Sequence, residues 1–222
     1  MIAGVTAGNP AYTECDSSNR SCPDRIRRDP PLTTLAWPVF LIGYLLGSIP
    51  SAYLASRLLV GKDIRQLGDG NMGAKNTFHS VGWLAGGVVA LADFAKGALA
   101  VLVARGLHLP ELVILIVGGC VVLGHDFPIF VGLRGGQGMA TMLGVFAVLF
   151  PIPTVAALVV LPLALILTHN WDLSCAVAFI TLLGMMLLAG NPPRRLAYPF
   201  IMLTSIALRK LMQMGDVRHA TS

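Results

Sequence analysis

From residue 35 onward the chain is a succession of long apolar stretches separated by short polar ones, with no alternating helix-and-strand pattern. Apolar runs fall at about 35–59, 80–104, 111–131, 139–150, 154–168, 173–190 and 197–212. A hydrocarbon core about 30 Å thick takes roughly 20 helical residues to cross, and most of these runs have that length. The runs 139–150 and 154–168 are short and separated by Pro151 and Pro153. They predict either one tight helical hairpin or two tilted partial crossings. The pattern predicts an all-α integral membrane helical bundle of about seven transmembrane helices, forming one polytopic domain over 32–222.

The first 31 residues break the pattern: they are polar, contain prolines and are too poor in large apolar side chains to bury a core, which predicts a flexible tail. The tail has no apolar segment of the secretory-signal kind. Composition agrees, since 55% hydrophobic and 12% charged residues with a mean hydropathy of +0.73 exceed what a soluble domain carries. Four cysteines, Cys15, Cys22, Cys120 and Cys175, include no C-x-x-C pair and no metal-like spacing with histidine. Cys15 and Cys22 either bridge, if the tail is extracytoplasmic, or stay as two free thiols. A net charge of +5 without a basic, aromatic-interleaved stripe excludes nucleic acid as a partner.

Charge instead orients the chain. Lys62, Arg65 and Lys75 follow the first run, Arg134 follows the third, and Arg209, Lys210 and Arg218 close the sequence. The positive-inside rule puts these on the cytoplasmic side and the N-terminus outside, with Arg194, Arg195 and the tail arginines opposing that placement.

The stretch GDGNMGAKN at 68–76 fits the dinucleotide fingerprint G-x-G-x-x-G, but the glycines follow an apolar helix rather than a strand. What survives is local: clustered glycines let several backbone N–H groups converge on one anion. A second glycine-rich loop, LRGGQGMAT at 133–141, falls on the same side by the predicted topology, and the two together predict one phosphate-binding site. Gly68, Gly70, Gly73, Gly135, Gly136 and Gly138 supply close backbone approach, and Asn71 and Asn76 can donate and accept. Arg65, Lys75 and Arg134 can neutralise phosphate charge.

Inside the second apolar run, Asp93 and Lys96 lie one turn apart, where each charge costs about 2.5–3.5 kcal/mol at the bilayer centre. They are expected to pair and face the bundle interior, either positioning Lys96 toward the site or locking two helices. His125 and Asp126 end the third run; as helix neighbours they point apart, so no His–Asp couple is implied between them. His125 is expected to hold the loop by bonding a carbonyl in preference to binding phosphate. No G-x-S-x-G, H-E-x-x-H or P-loop motif is present.

With these motifs on the page, the chain resembles the bacterial acyl-phosphate:glycerol-3-phosphate acyltransferases, the PlsY family of integral membrane enzymes. The resemblance is carried by YLLGSIPSAYLAS at 44–56, DIRQLGDGNMGAKN at 63–76, ADFAKGALA at 92–100 and GHDFPIFVGLRGGQGMATMLGV at 124–145. It implies a seven-helix bundle in the bacterial inner membrane with its site facing the cytoplasm, acyl phosphate and glycerol 3-phosphate as substrates, and no cofactor and no metal. It implies catalytic charges at Lys75, His79 and Arg134. Binding residues would be Gly68, Asp69, Gly70, Asn71, Gly73, Asn76, Lys96, His125, Gly135, Gly136, Gly138 and Thr141. The chain departs from the family pattern at Asp69 (usually Ser), Lys75 (Thr), His79 (Arg), Arg134 and Gln137 (Lys). Of the family's C-terminal His- and Asn-bearing motif it keeps at most Gly215, Asp216 and Arg218.

Asp69, which would repel phosphate, and the lost C-terminal histidine motivate a second reading: a non-catalytic or altered-specificity relative that binds a phosphorylated lipid precursor. A third reading, an anion transporter, predicts an inverted repeat, and the two loops do not recur in matching contexts.

Overall fold

Helix breaks, more than helix lengths, set where polar groups can enter this bundle. The computed structural model describes the backbone of residues 32–220 and the side chains of 37–211. The tail with Cys15 and Cys22, and the side chains of Asp216 and Arg218, lie outside the described residues. The described residues contain α1 (Leu32–Gly47), α2 (Ser51–Val60), α3 (Ala74–Ser80), α4 (Trp83–Gly106) and α5 (Glu111–Asp126). They continue with α6 (Met139–Leu149), α7 (Pro151–Thr168), α8 (Trp171–Leu188) and α9 (Pro193–Ala220). Two 3-10 turns, Ile64–Gln66 and Ile129–Val131, lie in the glycine loops, and no strand occurs among the described residues. Without a strand, the dinucleotide fingerprint has no βαβ unit to sit in.

The first apolar run is not one continuous helix. It breaks at Ser48–Pro50 because Pro50 has no N–H and disfavours helical geometry at Ile49 before it. α1 and α2 together still form one apolar path, Trp37–Val60. Four further helical stretches are long and apolar enough to cross a membrane: Trp83–Gly106, Glu111–Val131, Pro151–Thr168 and Trp171–Leu188. The run expected at 154–168 is thus extended to spanning length. Pro151 starts α7 at a position whose N–H needs no helical partner, and Phe150 (φ −134°) separates it from α6. α6 stays short, with 11 residues and so a rise of about 16 Å.

Close backbone contacts replace a hydrophobic driving force between membrane helices. Gly97 and Gly144 let α4 and α6 meet with backbone against backbone, at Thr141 and Phe94, leaving no room for a Cβ. Gly47 and Gly124 do the same between α1 and α5. Val101, Val117, Val121, Val122, Val145, Phe146, Leu182 and Met186 fill the interior between these helices.

These contacts give the helices a sense. Gly43 packs on Val117 and Gly47 on Val121, so α1 and α5 run in parallel toward the glycine loops. At the opposite end, Glu111 opens α5 and pairs with Arg194 (2.8 Å) and Arg195 (2.5 Å) of α9. α9 then returns to the loop end, where Lys210 pairs with Asp172 (3.2 Å) at the start of α8.

Candidate active site between the glycine loops

The 63–76 loop is built by its own side chains. Asp63 caps the first 3-10 turn by accepting from the Arg65 backbone N–H (3.0 Å). Asn76, buried on α3, donates to the carbonyls of Leu67 (2.9 Å), Asn71 (3.0 Å) and Ile64 (3.3 Å), and accepts from Asp69 N–H and the Ser80 hydroxyl. Its amide is therefore committed to the loop, not available to a ligand as expected. Gly68 lies at φ +56°, and a Cβ there would run into the Asn76 carboxamide. Asp69 is exposed, and its carboxylate accepts from Asn71 N–H (3.0 Å), closing an Asx turn at the rim.

The second loop hangs from the end of α5. Gly135 N–H donates to the Asp126 carbonyl (3.1 Å) and Gly136 N–H to that of His125 (3.3 Å). Tyr44 of α1 fixes the same corner by donating to the Phe127 carbonyl (2.7 Å). Gly138 begins α6 at φ +67°, with Asp126 Oδ1 only 2.6 Å from where a Cβ would stand. That places the Asp126 carboxylate near the positive end of α6.

The two loops meet. Arg65 holds the Asp63 carboxylate bidentately and donates from Nη1 to the Val131 carbonyl at 2.9 Å, so one guanidinium ties both loops. Hydrogen bonding to this guanidinium holds the Asp63 carboxyl below its ordinary value and raises Arg65 correspondingly. Gly136 packs against the Met72 carbonyl and the His125 ring, leaving no space for a side chain. Between the loops lies a cavity of about 210 Å³. Asn71, Gly73, Lys75, Gln137 and Gly138 line its loop side, and Asp93 and His125 its floor.

Below the loops sits a buried polar cluster. Lys96 Nζ contacts Asp93 Oδ1 (2.9 Å), His125 Nδ1 (2.9 Å) and the Ile49 carbonyl (3.1 Å) at the break after α1. Ser51, at the start of α2, donates to Asp93 Oδ1. The pairing of Asp93 with Lys96 is as the spacing predicts. The reading of the His125 ring is corrected: it faces Lys96 and Asp93, and the residue holds the loop through its backbone carbonyl instead. The helix turn forces this, because Asp126 points to Gly138 while His125 points into the bundle.

The remaining expected site residues divide by position. Lys75 lines the cavity and stands 5.7 Å from the Trp171 ring centroid. His79 is exposed and lines a neighbouring groove of about 590 Å³ with Phe78, His169 and Leu165, joined to the cavity at Lys75 and Trp171. Arg134 is exposed and is not among the cavity-lining residues. Thr141 is fully buried and does not line the cavity either; its carbonyl packs on Gly97. Gly70 (φ +72°) turns the first loop beside the Arg65 carbonyl.

A family model described as glycerol-3-phosphate acyltransferase matches residues 37–220. The chain belongs to that family. Glycerol-3-phosphate acyltransferase 1 of Dehalococcoides mccartyi is 45% identical over 150 residues, covering 64% of this chain and 71% of its own. The glycerol-3-phosphate acyltransferase of Listeria welshimeri is 37% identical over 153 residues, covering 68% of this chain and 77% of its own. The crystal structure of PlsY, an integral membrane glycerol 3-phosphate acyltransferase, in its glycerol 3-phosphate form superposes with a TM-score of 0.73 at 29% identity. That match covers 83% of this chain and 92% of PlsY, and the lysophosphatidic acid form gives 0.71 at 27% identity.

Within this acyltransferase fold, three contributors escape motif reading. Arg209 of α9 is buried, donates to the Gly135 carbonyl (3.2 Å) and stacks over Phe127 at 5.3 Å. It lies 74 residues from its partner, and the only sequence signal is a basic residue inside an otherwise apolar run. Ser51 and the Ile49 carbonyl enter through the helix break, for which Pro50 was the signal.

Proposed function

We propose that the protein transfers a fatty acyl group from acyl phosphate to glycerol 3-phosphate, giving lysophosphatidate and inorganic phosphate for phospholipid synthesis. The observation that carries this reading is the convergence of the two glycine loops on one cavity with Lys75 at its edge. The attacking glycerol oxygen bonds to the acyl carbon while the acyl C–O bond to phosphate breaks. The hydroxyl proton leaves to the departing phosphate or water. Because acyl phosphate is already a mixed anhydride, the protein needs no nucleophile of its own; alignment and stabilisation of negative charge suffice.

We assign charge neutralisation to Lys75 inside the cavity, and to His79 and Arg134 as side chains reaching the substrates from outside it. Backbone at Gly73 and Gly138, with Asn71, bounds the phosphate-bearing space, and Gly136 packs behind it on the His125 ring. Gly68, Gly70, Asn76, Gly135 and Thr141 support that backbone, and Asp69 sits at the rim. The second reading, a non-catalytic lipid-precursor binder, is motivated by Asp69 and the missing C-terminal histidine; the Asp69 carboxylate closes its own turn at the rim, which leaves it outside the cavity lining.

The orientation proposal is a bacterial inner membrane location with the site facing the cytoplasm. Among the described residues, Arg57, Lys62, Arg65, Lys75, Arg134, Arg209 and Lys210 belong to the loop end of the bundle, against Arg105, Arg194 and Arg195 at the other; Arg20, Arg25, Arg27 and Arg28 of the tail oppose the assignment. This asymmetry favours loops inside and the start of α1 outside. Seven passes follow if α6 and α9 complete the crossings. The test is purified protein in lipid with acyl phosphate and glycerol 3-phosphate, following phosphate release. Phosphate release that depends on glycerol 3-phosphate supports the reading; its absence in folded protein overturns it.

A further inference from the structure

The Lys96 ammonium has three donors and no acceptor, and its Nζ lies 2.9 Å from Asp93 Oδ1, 3.1 Å from the Ile49 carbonyl and 2.9 Å from His125 Nδ1, which is itself 3.5 Å from Asp93 Oδ1. The Lys96 contact is the shorter of the two at Nδ1, and a bond from an ammonium needs the Nδ1 lone pair, whereas 3.5 Å to Asp93 is longer than a good N–H···O bond, so Nδ1 carries no proton. In histidine the bond made by one ring nitrogen decides where the proton of the other sits. The proton of neutral His125 is then on Nε2, on the ring edge that lies beneath Gly136 and beside the Met72 carbonyl. His125 also lines the cavity between the loops.

We propose that Lys96 is a positioning residue that fixes His125 as the Nε2–H tautomer, presenting one aimed N–H donor to a phosphoryl oxygen held between the two glycine loops. Asp93 balances the ammonium charge, and Ser51 holds Asp93. The helix break at Pro50 supplies the Ile49 carbonyl that completes the shell. Lys96 itself is sealed under this arrangement, so its effect on substrate passes through the imidazole. A donor fixed in advance needs no reorganisation when charge develops on its partner, which is the condition under which such donors matter most. The role of His125 toward substrate rests on the acyl-transfer reading above; the tautomer does not.

The test is nitrogen NMR of protein carrying 15N-histidine in lipid nanodiscs, with the His125 signals identified by their loss in His125→Gln. At neutral pH the expected spectrum shows a bare Nδ1 and a protonated Nε2. A protonated Nδ1, or a doubly protonated ring, overturns the proposal. Lys96→Arg, which also donates without accepting, is expected to keep the same form. The double variant Asp93→Asn/Lys96→Met removes both charges together and is expected to give mixed tautomers; an unchanged Nε2–H signal there overturns the role of Lys96. Addition of glycerol 3-phosphate is expected to shift the Nε2 resonance, and an unmoved resonance overturns the donor role. In phosphate-release assays, Gln at 125 places an amide near the Nε2 position and Asn does not. His125→Asn is expected to lose roughly 10²-fold in kcat, the scale of one deleted donor, with His125→Gln losing distinctly less. Equal losses overturn the geometry. Wild-type protein that releases no phosphate would sink the acyl-transfer reading alone, leaving the tautomer measurement to stand or fall separately.

Discussion

Replacing Arg65 tests whether the two glycine loops work as one unit. Its guanidinium holds Asp63 at 2.6 and 3.0 Å and the Val131 carbonyl at 2.9 Å, with the side chain 31% exposed. Arg65→Met removes both contacts, of which only the one to Val131 crosses between the loops. A hydrogen bond to a charged group contributes about 1.5–3 kcal/mol, taken near its lower end for this exposure, and a surface ion pair about 0.2–1 kcal/mol. Only the bond to Val131 distinguishes the joined from the separated loops, so the joined state loses about 1.5 kcal/mol, which raises the ratio of separated to joined loops about tenfold at 1.36 kcal/mol per decade. Phosphate release in lipid should show kcat/KM lower by up to about tenfold, since activity follows the fraction of joined loops, with far-ultraviolet circular dichroism unchanged. Arg65→Lys should recover part of the loss, since an ammonium reaches one acceptor but cannot hold a carboxylate bidentately. The same contact sets a pH limit: the Asp63 carboxyl lies below its ordinary 3.8, so its contribution is complete above that value. It is lost as pH falls through the lowered one. Wild-type kcat/KM in Arg65→Met would refute the coupling of the loops.

Three further outcomes follow from individual contacts. Gly138→Ala forces a side chain into left-handed backbone against the Asp126 carboxylate and should lower stability by at least about 1–2 kcal/mol, read as a lower thermal midpoint in detergent. Asp69→Ser keeps a turn-closing oxygen while removing a rim carboxylate, so KM for glycerol 3-phosphate should fall by a few-fold with kcat unchanged. Arg209→Met leaves the Gly135 carbonyl without its buried charged donor, a loss of about 1.5–3 kcal/mol. It should appear as reduced kcat/KM and faster proteolysis of the 133–138 loop.

The apolar runs were legible because the bilayer imposes one rule on every segment: backbone polar groups must be satisfied within it. Chain pattern alone thus gave an all-helical membrane bundle, the two glycine loops, the pairing of Asp93 with Lys96 and the exclusion of a dinucleotide fold. It did not give the partition of the loops into cavity-lining and self-bonding residues, because Asn71 and Asn76 have the same chemistry and differ only in what surrounds them. It likewise could not place Arg209 on Gly135, turn the His125 ring toward Lys96, or leave Arg134 outside the cavity. Those depend on distances between segments far apart in the chain. Periodicity and composition fix what each segment must bury, whereas the direction of a side chain at a helix end is decided only when its neighbours have packed.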